Sequence, residues 1–223
     1  MIEQATAPFT LEIASGPTES GTKDDFELAF ARRALALLKA RLGRQGLEDL
    51  LASDTEAGNA YLREMANRSD GQWKPATTDI TVRGLSTAQF LGWFHDNLGD
   101  MSAMQAAEPE HFVVTANEDG TSSVVENIGP HVASFTINFT GEEEAAGELL
   151  PDYPIRMVGH AQVADGTVVS RVLHQFKDTD TGLDAHLTIF FPAACPEELF
   201  EQHRQHLAVE FGNWLTAAAS ATP

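Results

Sequence analysis

The feature that most limits the fold of this chain is a series of β-type runs closed by one long helical segment. The runs lie at 111–116, 122–128, 131–140, 155–163, 167–176 and 184–191. Turn signals separate them: Asp119-Gly120, Gly129-Pro130, Asp165-Gly166 and Thr181-Gly182. The closing helix is predicted from 196 to about 219. Pro196 suits a first helical position, and Glu197, Glu198 and Glu201 suit the positive end of the helix dipole. Strands in succession, with a helix before and a long helix after, predict an α+β domain. A curved antiparallel sheet wrapped around the last helix, the helix-grip arrangement, is one natural solution. It leaves a cavity between the concave face and the helix.

The N-terminal third reads differently. Phe9, Leu11 and Ile13 alternate with polar residues and predict a short edge strand. Asp24 and Asp25 then open a helical run through Phe26, Phe30, Leu35, Leu38 and Leu42, ending at Gly43. Shorter helical runs follow at 46–53 and 55–67. The stretch SDGQWKP, 69–75, reads as a breaker. The expected division is therefore a helical N-terminal portion, 1–75, and an α+β domain, 76–223. Within the latter, 78–83 reads as a strand, and Ser86 is a good N-cap for a helix from 87 to about 97.

Composition narrows the class of function. A net charge of −19, from 14 Lys+Arg against 33 Asp+Glu, argues against nucleic acid and anionic membrane surfaces as partners. Cys195 is the sole cysteine, which excludes an internal disulfide framework and a cysteine-rich zinc site. No run approaches 18 apolar residues, and the N-terminus has no basic-then-apolar leader. The expectation is a cytoplasmic protein whose partner is a small-molecule substrate. The N-terminal helices are free either to cap the cavity or to form a homodimer contact.

Two histidine–glutamate pairs stand out. Counted from His206 at about 100° per residue, Glu210 falls near 40° and His203 near 60°, among Leu199, Leu207, Phe211 and Trp214. The pair thus lies inside the apolar arc that should face the core. A buried unpaired carboxylate costs several kcal/mol, so Glu210 needs a partner. A metal ion held at i and i+4 supplies one. A simple hydrogen bond between the two satisfies the same spacing. The second pair is in the hairpin 111–129. Reading Asp119-Gly120 as a two-residue turn pairs Val113 with Glu126 and His111 with Ile128. His111 and Glu126 are then diagonal neighbours on one face, their backbones about 7–8 Å apart. Glu126 also keeps phase with Val124 and Ile128, so it points to the apolar side.

Together His111, Glu126, His206 and Glu210 form a candidate metal site. Nitrogen and oxygen ligands without thiolate suit Zn²⁺, with Fe²⁺ or Mn²⁺ as alternatives. His174 alternates in phase with Val168, Val172 and Phe176 and is a candidate general acid/base, or a satisfied core histidine. His160 and His186 alternate with polar neighbours and are expected on the surface. Cys195, just before a helix start, is open to a lowered pKa. The chain has no G-x-S-x-G, no G-x-x-x-x-G-K-[ST], no G-x-G-x-x-G and no H-E-x-x-H, which removes the commonest hydrolase, nucleotide and metalloprotease signatures.

Four strings occur in a telling order: V-E-N-I-G at 125–129, A-D-G-T at 164–167, H-Q-F-K-D-T at 174–179 and H-x-x-x-E-F at 206–211. Over roughly 105–215 the chain resembles the 2,4-diacetylphloroglucinol hydrolase family, which includes phloretin hydrolase. The resemblance implies a Bet v 1-like helix-grip domain, a zinc ion held by two His and two Glu, and cleavage of a carbon–carbon bond between a phenolic ring and an acyl group. His206 and Glu210 resemble the family's helical zinc pair, and Glu126 its strand glutamate. His111 resembles the histidine closing a W-H-P-x-D-H stretch, which here has lost its Trp and first His, leaving Ala106-Ala107-Glu108-Pro109. The family's R-S-R-F-W stretch is likewise replaced by 185–191, so its acylphloroglucinol specificity is not carried over. The expectation is a metal-dependent hydrolase acting on a carbonyl by activated water. A non-catalytic binder of small hydrophobic ligands and a metal-free cyclase or isomerase are the alternatives.

Overall fold

A computed structural model describes residues 15, 16 and 18–221. They fall into two compact units, one ending at Arg41 and the other beginning at Leu42. The expected edge strand at 9–13 lies outside the described residues. The first unit is the leading part of helix α1 (Lys23–Leu50). Its start is capped reciprocally. The Thr22 backbone N–H donates to Asp25 Oδ2 at 2.7 Å, and the Asp25 N–H donates to Thr22 Oγ1 at 3.2 Å. The helix is interrupted at Gly43, where φ is 62° and ψ −176°, a backbone that favours glycine.

The second unit continues with α2 (Ala52–Arg68), β1 (Trp73–Arg83), α3 (Thr87–Asn97), α4 (Met101–Ala107), β2 (His111–Ala116), β3 (Ser122–Ile128) and β4 (His131–Thr140). Then come β5 (Ile155–Gln162), β6 (Val168–Thr179), β7 (Gly182–Pro192) and α5 (Glu197–Ala221). The strands form one antiparallel sheet in the order β1-β7-β6-β5-β4-β3-β2. With the long C-terminal helix packed against this sheet, the domain is the α+β helix-grip arrangement expected. Phe90, Phe176, Phe191 and Phe200 are each under 2% exposed in the shared core of sheet, α3 and α5. Each such ring contributes about 1.5–3 kcal/mol. Ser86 caps α3 through a capping box with Gln89.

The boundary expected at 69–75 falls elsewhere. Trp73 already pairs with Pro192, and α2 belongs to the same compact unit as the sheet. Pro75 reads as a breaker, but among the described strands β1 is at the sheet edge, where a missing N–H is tolerated. Helix α2 docks on β4 through Gly58 and Asn59. Asn59 Nδ2 donates to the Ser134 carbonyl at 2.9 Å, and its Oδ1 accepts from the Ser134 N–H at 3.0 Å. Helix α4, capped by the Asp100 side chain, is not signalled by any apolar period in the sequence. Among the described residues no helix is long and apolar enough to cross a membrane.

Candidate metal centre

The β2–β3 hairpin carries the first pair, in a register that differs from the two-residue turn expected. Val113 pairs with Val125 and Ala116 with Ser122, so the connecting loop is Asn117 to Thr121. Gly120, at φ 85°, bonds back to Asn117. Alone, that register would turn Phe112 to the cavity face and His111 away from it. An irregularity between His111 and Val113 corrects this: His111 pairs directly with Glu126. The two residues are therefore opposite rather than diagonal, and both face inward.

Helix α5 carries the second pair. Leu199, Phe200, His203, His206, Leu207, Phe211 and Trp214 are all buried on it, so the apolar arc does contain the histidines. His203 and His206 stack, with ring centroids 5.0 Å apart and planes 9° apart. His203 occupies the arc but is not one of the converging ligands.

Four side chains meet where hairpin and helix face each other. His111 Nε2 lies 3.2 Å from His206 Nε2, 3.2 Å from Glu126 Oε2 and 3.4 Å from Glu210 Oε1. His206 Nε2 lies 3.9 Å from Glu126 Oε2 and 4.0 Å from Glu210 Oε2. His111, Glu126 and His206 form the tight group, their ligand atoms within 4.8 Å of one another, and Glu210 adjoins it. Donors about 2.0–2.1 Å from a tetrahedral zinc stand about 3.3–3.4 Å apart; the three distances from His111 Nε2 match that spacing, and the two from His206 Nε2 to the carboxylates, 3.9 and 4.0 Å, are longer by about half an ångström.

The protonation pattern asks for a cation. His111 Nδ1 lies 3.2 Å from the Met104 carbonyl, which can only accept, so this nitrogen carries a proton. Nε2 of the neutral ring then presents a lone pair to two carboxylates and a second imidazole. A proton or a metal ion must stand among these acceptors. With a proton there, the pKa values divide. Burial works to lower that of His111, but the Glu126 hydrogen bond and the Glu210 and Glu126 charges raise it above the ordinary value. Burial works to raise that of Glu126, but the His111 hydrogen bond and the neighbouring imidazoles hold it well below the carboxylate range. Burial pushes Glu210 up to about 8, against the His111 charge. Burial lowers His206 to about 4, against Glu126.

The four residues of the cluster line a cavity between sheet and helix. The cavity encloses about 790 Å³ of space with its mouth included, of which about 90 Å³ is reachable by the centre of a water molecule. Its walls are mainly apolar, with Phe94, Phe135, Ile189, Phe211 and Trp214 among them. Ser122 and Trp214 are among its lining residues, and their Oγ and Nε1 are buried without a hydrogen-bond partner among the described residues.

His174 lines the same cavity. Its Nδ1 accepts from the Thr188 N–H at 3.2 Å, and burial pushes its pKa down to about 3. It is therefore a neutral ring whose Nε2 carries the proton and is a hydrogen-bond donor. Among the other expectations, His186 pairs with Asp79 at 2.7 Å and His160 is half-buried, neither fully on the surface. Burial pushes the Cys195 thiol up to about 11, not down.

No family model matches the chain, and no curated protein matches it. A similar solved structure is the crystal structure of Ara h 8.0201, 8% identical, covering 67% of this chain and 99% of that one, with a TM-score of 0.47.

Proposed function

We propose that the chain is a metal-dependent hydrolase of a small, largely apolar carbonyl compound, with zinc held by His111, Glu126, His206 and Glu210. The observation that carries this reading is the convergence of two imidazoles and two carboxylates, from three elements, in the lining of an apolar cavity. Fe²⁺ and Mn²⁺ suit the same donors. The resemblance to the 2,4-diacetylphloroglucinol hydrolase family supports the same ligand set and an acyl-phenolic class of substrate. A zinc ion in such a site supplies Lewis acidity, polarising a carbonyl and lowering the pKa of water toward 7.

The chain's own residues do the rest. The Met104 carbonyl holds the His111 ring so that Nε2 faces the site. Apolar walls exclude bulk water and strengthen each polar interaction inside. His174 Nε2–H and the unpartnered Trp214 Nε1–H are donors for substrate oxygens, suited to orienting a carbonyl or phenolic group. Metal content by plasma mass spectrometry tests the reading, on wild type and on His206→Ala/Glu210→Ala. About one ion per chain, lost in the folded double variant, together with chelator-sensitive hydrolysis of acyl-phenols, is the expected result. No ion in either protein after loading overturns it. The apolar walls also favour a second reading, a binder of small hydrophobic ligands without catalysis. That reading requires ligand uptake unaffected by chelator and by the double substitution.

A further inference from the structure

His206 and His203 also line a second pocket, distinct from the apolar cavity and more polar. It has about 230 Å³ reachable by the centre of a water molecule. Glu108, Glu110, Asn127, Gln202 and Gln205 border it, and among the described residues no lysine or arginine does. Glu108 is only 5% exposed and accepts the Glu110 N–H at 3.1 Å. Asn127 Nδ2 donates to Glu110 Oε1 at 2.8 Å. Because that carboxylate can only accept, the amide orientation is fixed, and Asn127 Oδ1 is left buried without a hydrogen-bond partner. His206 Nδ1 is buried without a partner too, on a residue 7% exposed. The ligand atoms of Glu108, Glu110 and His206 lie within 4.8 Å of one another.

Two carboxylates, an amide oxygen and an imidazole nitrogen thus line a pocket that, among the described residues, has no lysine or arginine to neutralise them. We propose that this pocket is a second divalent-cation site, ligated by Glu108, Glu110 and His206 with Asn127 Oδ1 as a further oxygen. The donor set, rich in oxygen with one imidazole, takes Mn²⁺ or Zn²⁺. Its link to the inner site is His206. A neutral imidazole has one lone pair, so Nε2 and Nδ1 cannot both be full ligands. An ion in either site therefore weakens binding at the other, and excess metal opposes the inner ion rather than reinforcing it.

Zinc binding to the full chain, by chelator competition with mass-spectrometric stoichiometry, tests this. Wild type should bind two ions, the second at least tenfold more weakly. Glu110→Gln, at an exposed position and nearly the same in shape, should abolish the second event and leave the first. Glu126→Gln/Glu210→Gln should keep a single event that adding Glu110→Gln abolishes. Circular dichroism establishes that each variant is folded. One event in wild type, unchanged by Glu110→Gln, overturns the outer site and leaves the inner reading standing. A wild-type isotherm unaltered by Glu126→Gln/Glu210→Gln overturns the inner reading instead. A single event weakened by Glu110→Gln makes Glu110 a support of the inner ion and also overturns the outer site.

Discussion

Gly58 is in the middle of α2, where alanine ordinarily helps by about 1 kcal/mol of helix propensity. Here the packing reverses the sign. A Cβ at 58 would stand 1.9 Å from the Val132 carbonyl oxygen and 2.8 Å from its carbon. A carbon–oxygen contact needs about 3.3 Å, so helix and strand must part by about 1.4 Å. The obstacle is backbone and cannot rotate aside. That displacement would carry both Asn59–Ser134 hydrogen bonds, now 2.9 and 3.0 Å, out of range. Two such bonds are worth about 0.5–1.5 kcal/mol each. The strain of forced packing adds about 1–3 kcal/mol. After the propensity gain, Gly58→Ala should destabilise the fold by about 2–4 kcal/mol. Urea unfolding followed by far-ultraviolet circular dichroism measures it. Gly212 on α5 is the control, since a Cβ there meets nothing within 4 Å, and Gly212→Ala should stabilise by about 0.5–1 kcal/mol. If both variants are equally stabilised, the close approach of α2 to β4 is refuted.

The buried His174 sets an acid dependence. Its folded pKa of about 3 lies below the ordinary 6.5, so the unfolded state holds the extra proton between those values. Its contribution is whole above pH 6.5 and is lost as pH falls toward 3, at up to about 1.4 kcal/mol per pH unit. His174→Asn, which can still accept from the Thr188 N–H, should flatten the slope of stability against pH by about that amount; an unchanged slope rejects the neutral buried ring. At a zinc concentration a hundred times its Kd, wild type should gain about 2.7 kcal/mol of stability, and His206→Ala/Glu210→Ala none. Equal gains in both would show that zinc binds outside the cluster. Trp214→Phe keeps an aromatic wall and removes the Nε1–H, so KM for an acyl-phenol should rise several-fold with the zinc content unchanged. An unchanged KM would take Trp214 out of substrate binding.

The order of strands and helices was legible because apolar periods and turn residues agreed along most of the chain. Ser86 and Gly129 marked real element ends, and Gly43 the interruption inside α1. The inward direction of His206 and Glu210 followed from helical period alone, since the two are a single turn apart among the buried residues of α5. The hairpin is more instructive. Its loop is longer than Asp119-Gly120 alone implies, which shifts the register by one and reverses every later face. The bulge at Phe112 shifts it back, so His111 still faces Glu126. Neither shift is written in the side chains nearby, because both depend on backbone geometry set by the rest of the sheet. Helix α4 was illegible for a similar reason: seven residues with two buried, Met104 and Ala107, carry no measurable period. With it was lost the Met104 carbonyl that orients His111. The Thr188 N–H that fixes the His174 tautomer was illegible as well, since only the β6–β7 register delivers it.

The strand order has a consequence in time. Strands β1 and β2 are neighbours in the chain but occupy opposite edges of the sheet. Among the described residues β1 pairs with β7 alone, with Arg83 against Gly182. Closing so long a stretch of chain is slow compared with forming a hairpin. The His111–Glu126 half of the cluster can therefore assemble early, within its own hairpin. The His206–Glu210 half arrives only when the last helix is made and docks. During synthesis the chain would expose a half-built, acidic pair before its counterpart exists, and metal captured then would bind weakly. Full affinity should appear as the final event of folding, after the sheet has closed.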